Sequence, residues 1–143
     1  MNTKLVASFK KQKFMSLLGA KFGNFGEGHC EIILPFNKKL TQQHGLIHGG
    51  VIATIADNAA GFAAFSLMED QYQPLTIEFK INFLSQSPGK VMISQANVLR
   101  AGRSIFHTRA DVFNVCKNQK SLIATSLVTV KASKRVYLLS NKN

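Results

Sequence analysis

The spacing of polar and apolar positions changes character several times along the chain. Over residues 4–18, Leu5, Phe9 and Leu17 or Leu18 recur near helical spacing with lysines between them, which predicts a basic amphipathic helix. Gly23, Gly26 and Gly28 then interrupt the pattern, and residues 29–36 read as a strand running into Pro35. From Gly49 to about Met68 the chain is rich in alanine and apolar on nearly every side, so a long helix buried on most faces is expected. Pro74 ends the connection that follows. Four strand-like runs come next, at about 75–84, 90–100, 104–114 and 121–131. In the first of them Ile77, Phe79, Ile81 and Phe83 alternate with Glu78, Lys80 and Asn82, the pattern of an antiparallel strand with one face buried.

The connections Ser87-Pro88-Gly89-Lys90, Ala101-Gly102-Arg103 and Lys117-Asn118-Gln119-Lys120 are too short to hold crossover helices. They predict an antiparallel meander of four strands in chain order. The fold class is therefore α+β: one antiparallel sheet packed around one long helix. Residues 1–143 read as a single domain, with a basic and loosely held tail from about 133. A sheet covered by a single helix is small, and edge-to-edge pairing into a homodimer, or a dimer of dimers, would complete it.

Charge narrows the partners. The formal net charge is +11. Lys4, Lys10, Lys11, Lys13 and Lys21 precede the first acid, Glu27, and no acid follows Asp111. Such a field favours anionic partners: nucleic acid, an acidic membrane or a phosphorylated small molecule. It equally suits a merely soluble surface. Nucleic acid is disfavoured because the strands carry no cluster of stacking aromatics and no helix-turn-helix pattern occurs. Stable membrane insertion is disfavoured because Asp57 and Asn58 sit in the middle of the apolar run, which ends in Glu69-Asp70. Lysines interrupt the N-terminal apolar residues, and Cys30 and Cys116 have no metal-type spacing, so a cytoplasmic location is expected.

The candidate chemistry lies at the start of the long helix. His48-Gly49-Gly50 opens it, exposing backbone N–H groups where partial positive charge gathers. Asp57 is a lone carboxylate among apolar neighbours, an expensive placement that needs a reason. One end can polarise a carbonyl, and the acid can act on what attacks it, which is the raw material of acyl transfer. Gly49 and Asp57 are separated by roughly 12 Å along a helix and by about 80° around it. One reacting carbon cannot easily meet both from the same chain, so a site shared between subunits is expected. No Gly-x-Ser-x-Gly elbow exists, and neither cysteine has a histidine in a recognisable motif. His44 and His48 are four apart, but no helix is expected there and no Glu follows, so no metal site is expected. His29 and His107 fall in strand runs and read as structural.

His48-Gly49-Gly50, the acid nine residues after the histidine, Gly45 before it and Gly102-Arg103 between strand runs resemble the hotdog-fold thioesterases, specifically the PaaI-like (phenylacetate-pathway) group. The resemblance covers about residues 25–131. It implies a hotdog fold, an antiparallel sheet wrapped around one long central helix, and hydrolysis of an acyl-CoA thioester to free acid and coenzyme A without a further cofactor. Carried over, the Gly49 N–H binds the thioester oxygen, and Asp57 of the neighbouring subunit is general base or nucleophile. His48 shapes the turn, Gln42 orients water or the carbonyl through its amide, and Gly50, Arg100, Gly102 and Arg103 contact the substrate. Many PaaI-like members have Asn where this chain has Gln42. The related thioesterases for aryl-CoA esters share the Gln but have Glu in place of Asp57, and they carry a polar residue where this chain has Gly61. Small residues along the helix (Ala53, Ala56, Ala60) leave room for a medium or long fatty acyl chain, or merely allow close packing. A non-catalytic acyl-CoA-binding or regulatory protein on the same fold is the alternative.

Overall fold

The computed structural model describes residues 3–86, 90–117 and 119–134. In chain order these form α1 (Thr3–Lys10), α2 (Lys13–Leu18), β1 (Lys21–Gly26), β2 (His29–Pro35), a short 3₁₀ turn (Lys38–Leu40), α3 (Gly49–Phe65), β3 (Tyr72–Phe83), β4 (Val91–Ala101), β5 (Ile105–Cys116) and β6 (Gln119–Lys134). The strands make one antiparallel sheet, in the order β1-β2-β4-β5-β6-β3. The sheet curls around α3, whose Ile55, Ala56, Ala59, Ala60, Ala63 and Ala64 are fully buried. Small side chains on that face let the strands approach the helix closely, while Ile32, Leu34, Met92, Val112, Ile123 and Val130 fill the space from the sheet.

The expected meander holds for β4, β5 and β6 but not for β3. That strand pairs with β6 at the sheet edge, from Tyr72 opposite Lys134 to Phe83 opposite Ala124. The connection from Leu84 to Lys90 must therefore pass two strands to reach β4. Three interstrand spacings come to about 14 Å, and seven extended residues reach roughly 23 Å, so a short link does not force a hairpin. The predicted turn at Ser87-Pro88-Gly89 lies outside the described residues, as does Asn118 in the β5–β6 turn.

The N-terminal helix is two helices rather than one. A continuous helix over 4–18 would set Leu5 and Leu18 about 140° apart around its axis, so both could not face one core. The chain turns at Lys11–Gln12 and restarts, which buries Leu5, Met15 and Leu18 together. Phe9 packs against Phe22 and Phe62 at centroid distances of 5.0 and 5.8 Å. Residues 21–26, read as broken by glycines, form β1; a Cβ at Gly23 would lie 2.9 Å from the Glu31 Cβ, so glycine is what lets β1 cross β2 there. Ser133 and Lys134 still pair with β3, and residues 135–143 lie outside the described region.

Two departures shape the site. First, α3 is not buried all round: Gly50, Ala53, Thr54, Asp57, Asn58 and Gly61 form a less buried stripe at helical spacing. Second, the buried face expected for β3 is open. Ile77 is 52% exposed, Phe79 40% and Phe83 53%, because β3 is the edge strand and α3 reaches only part of it.

Candidate active site

His48 caps α3. Its Nδ1 accepts a hydrogen bond from the Gly50 N–H at 2.9 Å, and its backbone carbonyl accepts from Val51 at 2.9 Å and Ile52 at 3.3 Å. With Nδ1 used as acceptor, the neutral ring carries its proton on Nε2. The turn before it is closed by the Leu40 carbonyl accepting from His48 N–H at 2.9 Å and by the Thr41–Ile47 bridge. The Gly49 N–H is left over: among the described residues no acceptor faces it. Gly49 is also tightly placed, since a Cβ there would lie 3.3 Å from the Phe83 ring. A free N–H at a helix start, beside an aromatic edge and without a side chain to mask it, is a ready donor for a carbonyl oxygen.

Asp57 lies two turns further along the same helix. Its Oδ1 accepts from the Thr76 hydroxyl at 2.7 Å. Burial pushes the Asp57 carboxyl above its ordinary value, and the Thr76 bond pulls partly the other way. Thr76 reaches the acid because β3 bulges at Ile77: Thr76 pairs with Val130 but Glu78 pairs with Thr129.

The open stripe of α3 faces a groove of about 590 Å³ lined by Gln12, Lys13, Phe14, Met15, Gly50, Ala53, Thr54, Asp57, Asn58 and Phe79. Behind Asp57 is a second, more polar chamber of about 180 Å³, whose walls include Ser8, Gln12, Asp57, Asn58, Gln73 and Thr76. Gly50 and Asp57 thus share one groove. Gln42 is half-buried in the turn before α3, and its side-chain oxygen accepts from the His44 N–H at 3.2 Å. Arg100, near the end of β4, and Gly102 and Arg103, in the β4–β5 turn, are exposed. That turn adjoins the far end of β6, where the Ala132 N–H donates to Ser104 at 2.8 Å, and Ala132 is opposite Pro74 at the start of β3. Gly49 sits at the other end of β3, beside Phe83. The two are separated by roughly 30 Å along that strand, so one chain does not bring the arginine turn to the helix start. Among the described residues no three His, Cys, Asp or Glu side chains converge as metal ligands.

Three site-lining residues escaped the sequence reading. Thr76 looks outward-facing in a strictly alternating strand. Asn58 follows Asp57 directly but reads as helix filler. Gln12 is 46 residues from its partner Asn58, whose Nδ2 donates to Gln12 Oε1 at 2.8 Å.

The curled sheet, the enclosed helix and the capped glycine turn with an acid two turns on define a thioesterase of the hotdog fold. The family model described as the thioesterase superfamily matches residues 44–117, just over half the sequence, and the chain belongs to that superfamily of thioester hydrolases. It is similar to a solved thioesterase family protein of Silicibacter pomeroyi, with 37% identity, 92% of this chain and 97% of that one covered, and a TM-score of 0.90. The PaaI protein of Escherichia coli, from the phenylacetic acid degradation operon, shares the fold at 18% identity and a TM-score of 0.81, with 90% and 89% covered. The 1,4-dihydroxy-2-naphthoyl-CoA hydrolase of Listeria monocytogenes is 22% identical over 118 residues, 82% of this chain and 94% of that protein. A candidate esterase of Saccharolobus solfataricus is 31% identical over 98 residues, 68% of this chain and 69% of its own length. The match spans 63% of two further candidate esterases, from the same organism and from Halobacterium salinarum. Among the described residues no helix is long and apolar enough to cross a membrane.

Proposed function

We propose that the protein hydrolyses an acyl-CoA thioester, with a medium- or long-chain fatty acyl group, to the free acid and coenzyme A. The observation that carries this reading is Asp57 itself: a partly buried carboxyl, raised by desolvation and hydrogen-bonded by Thr76, in the wall of a groove whose apolar lining is Phe14, Met15, Ala53 and Phe79. The acyl chain lies along those apolar side chains. The thioester oxygen accepts from the Gly49 N–H, where the negative charge of the tetrahedral intermediate develops; one such donor is worth about 10²–10³ in turnover. Asp57 takes a proton from water, the water oxygen bonds to the carbonyl carbon, and the carbon–sulfur bond breaks as coenzyme A leaves with the proton. Thr76 fixes the carboxylate's orientation, and Gln42 helps to hold the turn that presents Gly49.

Gly49 and Asp57 serve one thioester from two subunits in this reading. The exposed β3 edge, with Ile77, Phe79 and Phe83 uncovered, supports its pairing with a second copy. Antiparallel pairing of two β3 edges sets the start of one strand against the end of the other. It thereby carries each arginine turn toward the partner's helix start, where Arg100 and Arg103 meet the phosphates of coenzyme A. The positive surface draws the same anion. The reaction is assigned to the cytoplasm, in keeping with the free cysteines Cys30 and Cys116. A panel of acyl-CoA esters with detection of released thiol tests the assignment. Wild type is expected to turn over medium and long chains, and Asp57→Asn to retain binding and lose turnover. Thiol release by Asp57→Asn at near wild-type rate overturns the role of the acid.

A further inference from the structure

Asp57 and Asn58 are neighbours in sequence, and both face the groove on one side and the polar chamber on the other. Gln12 completes the partition between the two spaces. It sits at the break between α1 and α2, where its side chain makes no cap for α2 and instead accepts from Asn58 Nδ2 at 2.8 Å. The other half of the Asn58 amide is unmet: its Oδ1 is buried and, among the described residues, has no hydrogen-bond partner. A buried acceptor in that state calls for a donor. The adjacent chamber of about 180 Å³ has room for several waters at about 30 Å³ each.

From this we propose that Asn58, oriented by Gln12, is the second acceptor that positions the attacking water. The inference rests on Asp57 acting as the base. A water drawn from the chamber gives one hydrogen to the Asp57 carboxylate and the other to Asn58 Oδ1, the Gln12–Asn58 pair shifting slightly to admit it. With both hydrogens held, the lone pair of the water points into the groove, toward the thioester carbon. On attack, the oxygen–carbon bond forms and the first proton passes to Asp57. The second stays on the new carboxyl group until the acid ionises, and the carbon–sulfur bond breaks as the thiolate leaves with the proton held by Asp57. Gln12 is a positioning residue: it acts through Asn58 alone.

Water has two hydrogens to place and methanol has one, which separates this role from a structural one. Methanol can give its hydrogen to Asp57 and attack without Asn58. Hydrolysis and methyl-ester formation are therefore measured together, on the full-length protein with a saturated acyl-CoA in buffered methanol–water. Asn58→Ala is expected to lower kcat for hydrolysis at least tenfold with KM within threefold, and to raise the ratio of methyl ester to acid about tenfold. Gln12→Leu should move both readouts the same way by a smaller factor, and Gln12→Glu, which keeps an acceptor for Asn58 Nδ2, should restore them. If Asn58→Ala fails to fold, the Gln12 pair carries the test. Hydrolysis within threefold of wild type in both Asn58→Ala and Gln12→Leu overturns the proposal. So does a loss of hydrolysis with an unchanged product ratio, including no ester from any variant, since a structural defect slows both nucleophiles alike. Asp57→Asn separates the two readings: if it is inactive while Asn58→Ala is normal, only this inference fails, and if it is active the base assignment fails first.

Discussion

Replacing Asp57 by Asn should make the protein more stable at neutral pH while removing its activity. Asn keeps the side-chain size and an oxygen that accepts the 2.7 Å bond from Thr76, so only the charge and its proton are lost. The Asp57 carboxyl is raised above its ordinary value of 3.8 chiefly by burial. An acid raised in the folded state binds more protons there than in the unfolded chain. Its contribution is therefore neutral below the unfolded value of 3.8 and becomes a growing cost as pH rises through the folded value, with the full cost present at neutral pH. The groove beside Asp57 is open, so the cost is about 1 kcal/mol rather than the larger penalty of a sealed charge. For a chain of this size 1 kcal/mol is worth roughly 2–4 °C in melting temperature. Thermal unfolding of wild type and Asp57→Asn is followed from below pH 4 to pH 8, with kcat measured alongside. The variant should melt a few degrees higher at neutral pH, and the difference should shrink toward zero at the acid end. A variant that melts lower than wild type at pH 7, or by the same margin at every pH, would refute the account of Asp57 as a desolvated charge held for function.

Thr76→Val removes a donor to the carboxylate, raises the Asp57 value further and should cut turnover about tenfold on the acid side of the pH profile, with the loss fading as pH rises. Mixing Asp57→Asn protein with Gly49→Val protein, followed by subunit exchange, should regain about a quarter of wild-type activity, since half the dimers are hybrids and each hybrid has one intact site. No regain despite exchange shown by mass labels would place both groups on one subunit's substrate. Arg100→Ala or Arg103→Ala should raise KM for acyl-CoA several-fold with kcat little changed, and the penalty should vanish for the same acyl group on a pantetheine-type thiol that lacks the nucleotide. An equal penalty on both thiols would remove the arginines from phosphate binding.

What the sequence makes legible here follows from which interactions are local. The start of α3 is written in six consecutive residues: the cap, the two glycines and the apolar run behind them act within two turns of each other. The alternation of β4, β5 and β6 reports which side chains face the helix, and hairpin links of a few residues fix their order. Neither signal says which strand lies beside β3. Period-two alternation encodes a face, not a neighbour, and the seven-residue link is long enough for a different partner. The split of α1 from α2 is likewise set by what both must bury, not by any breaker residue at Lys11–Gln12.

The placement of Thr76 shows the same limit at the site itself. Counted in twos, Thr76 belongs with Glu78, Lys80 and Asn82, on the face away from the helix. The bulge at Ile77 inserts one residue into that count and turns Thr76 inward, opposite the buried Val130, while Glu78 stays outside with Thr129, which donates to it at 2.7 Å. One irregular residue in a 12-residue strand thus gives Asp57 its hydrogen bond and leaves Ile77 uncovered on the open edge. The same distortion therefore serves the acid and the surface on which a second subunit is proposed to pair. A regular strand that kept all twelve residues would put Thr76 on the outer face with Glu78 and separate it from Asp57, so the bulge belongs to the chemistry as much as to the fold.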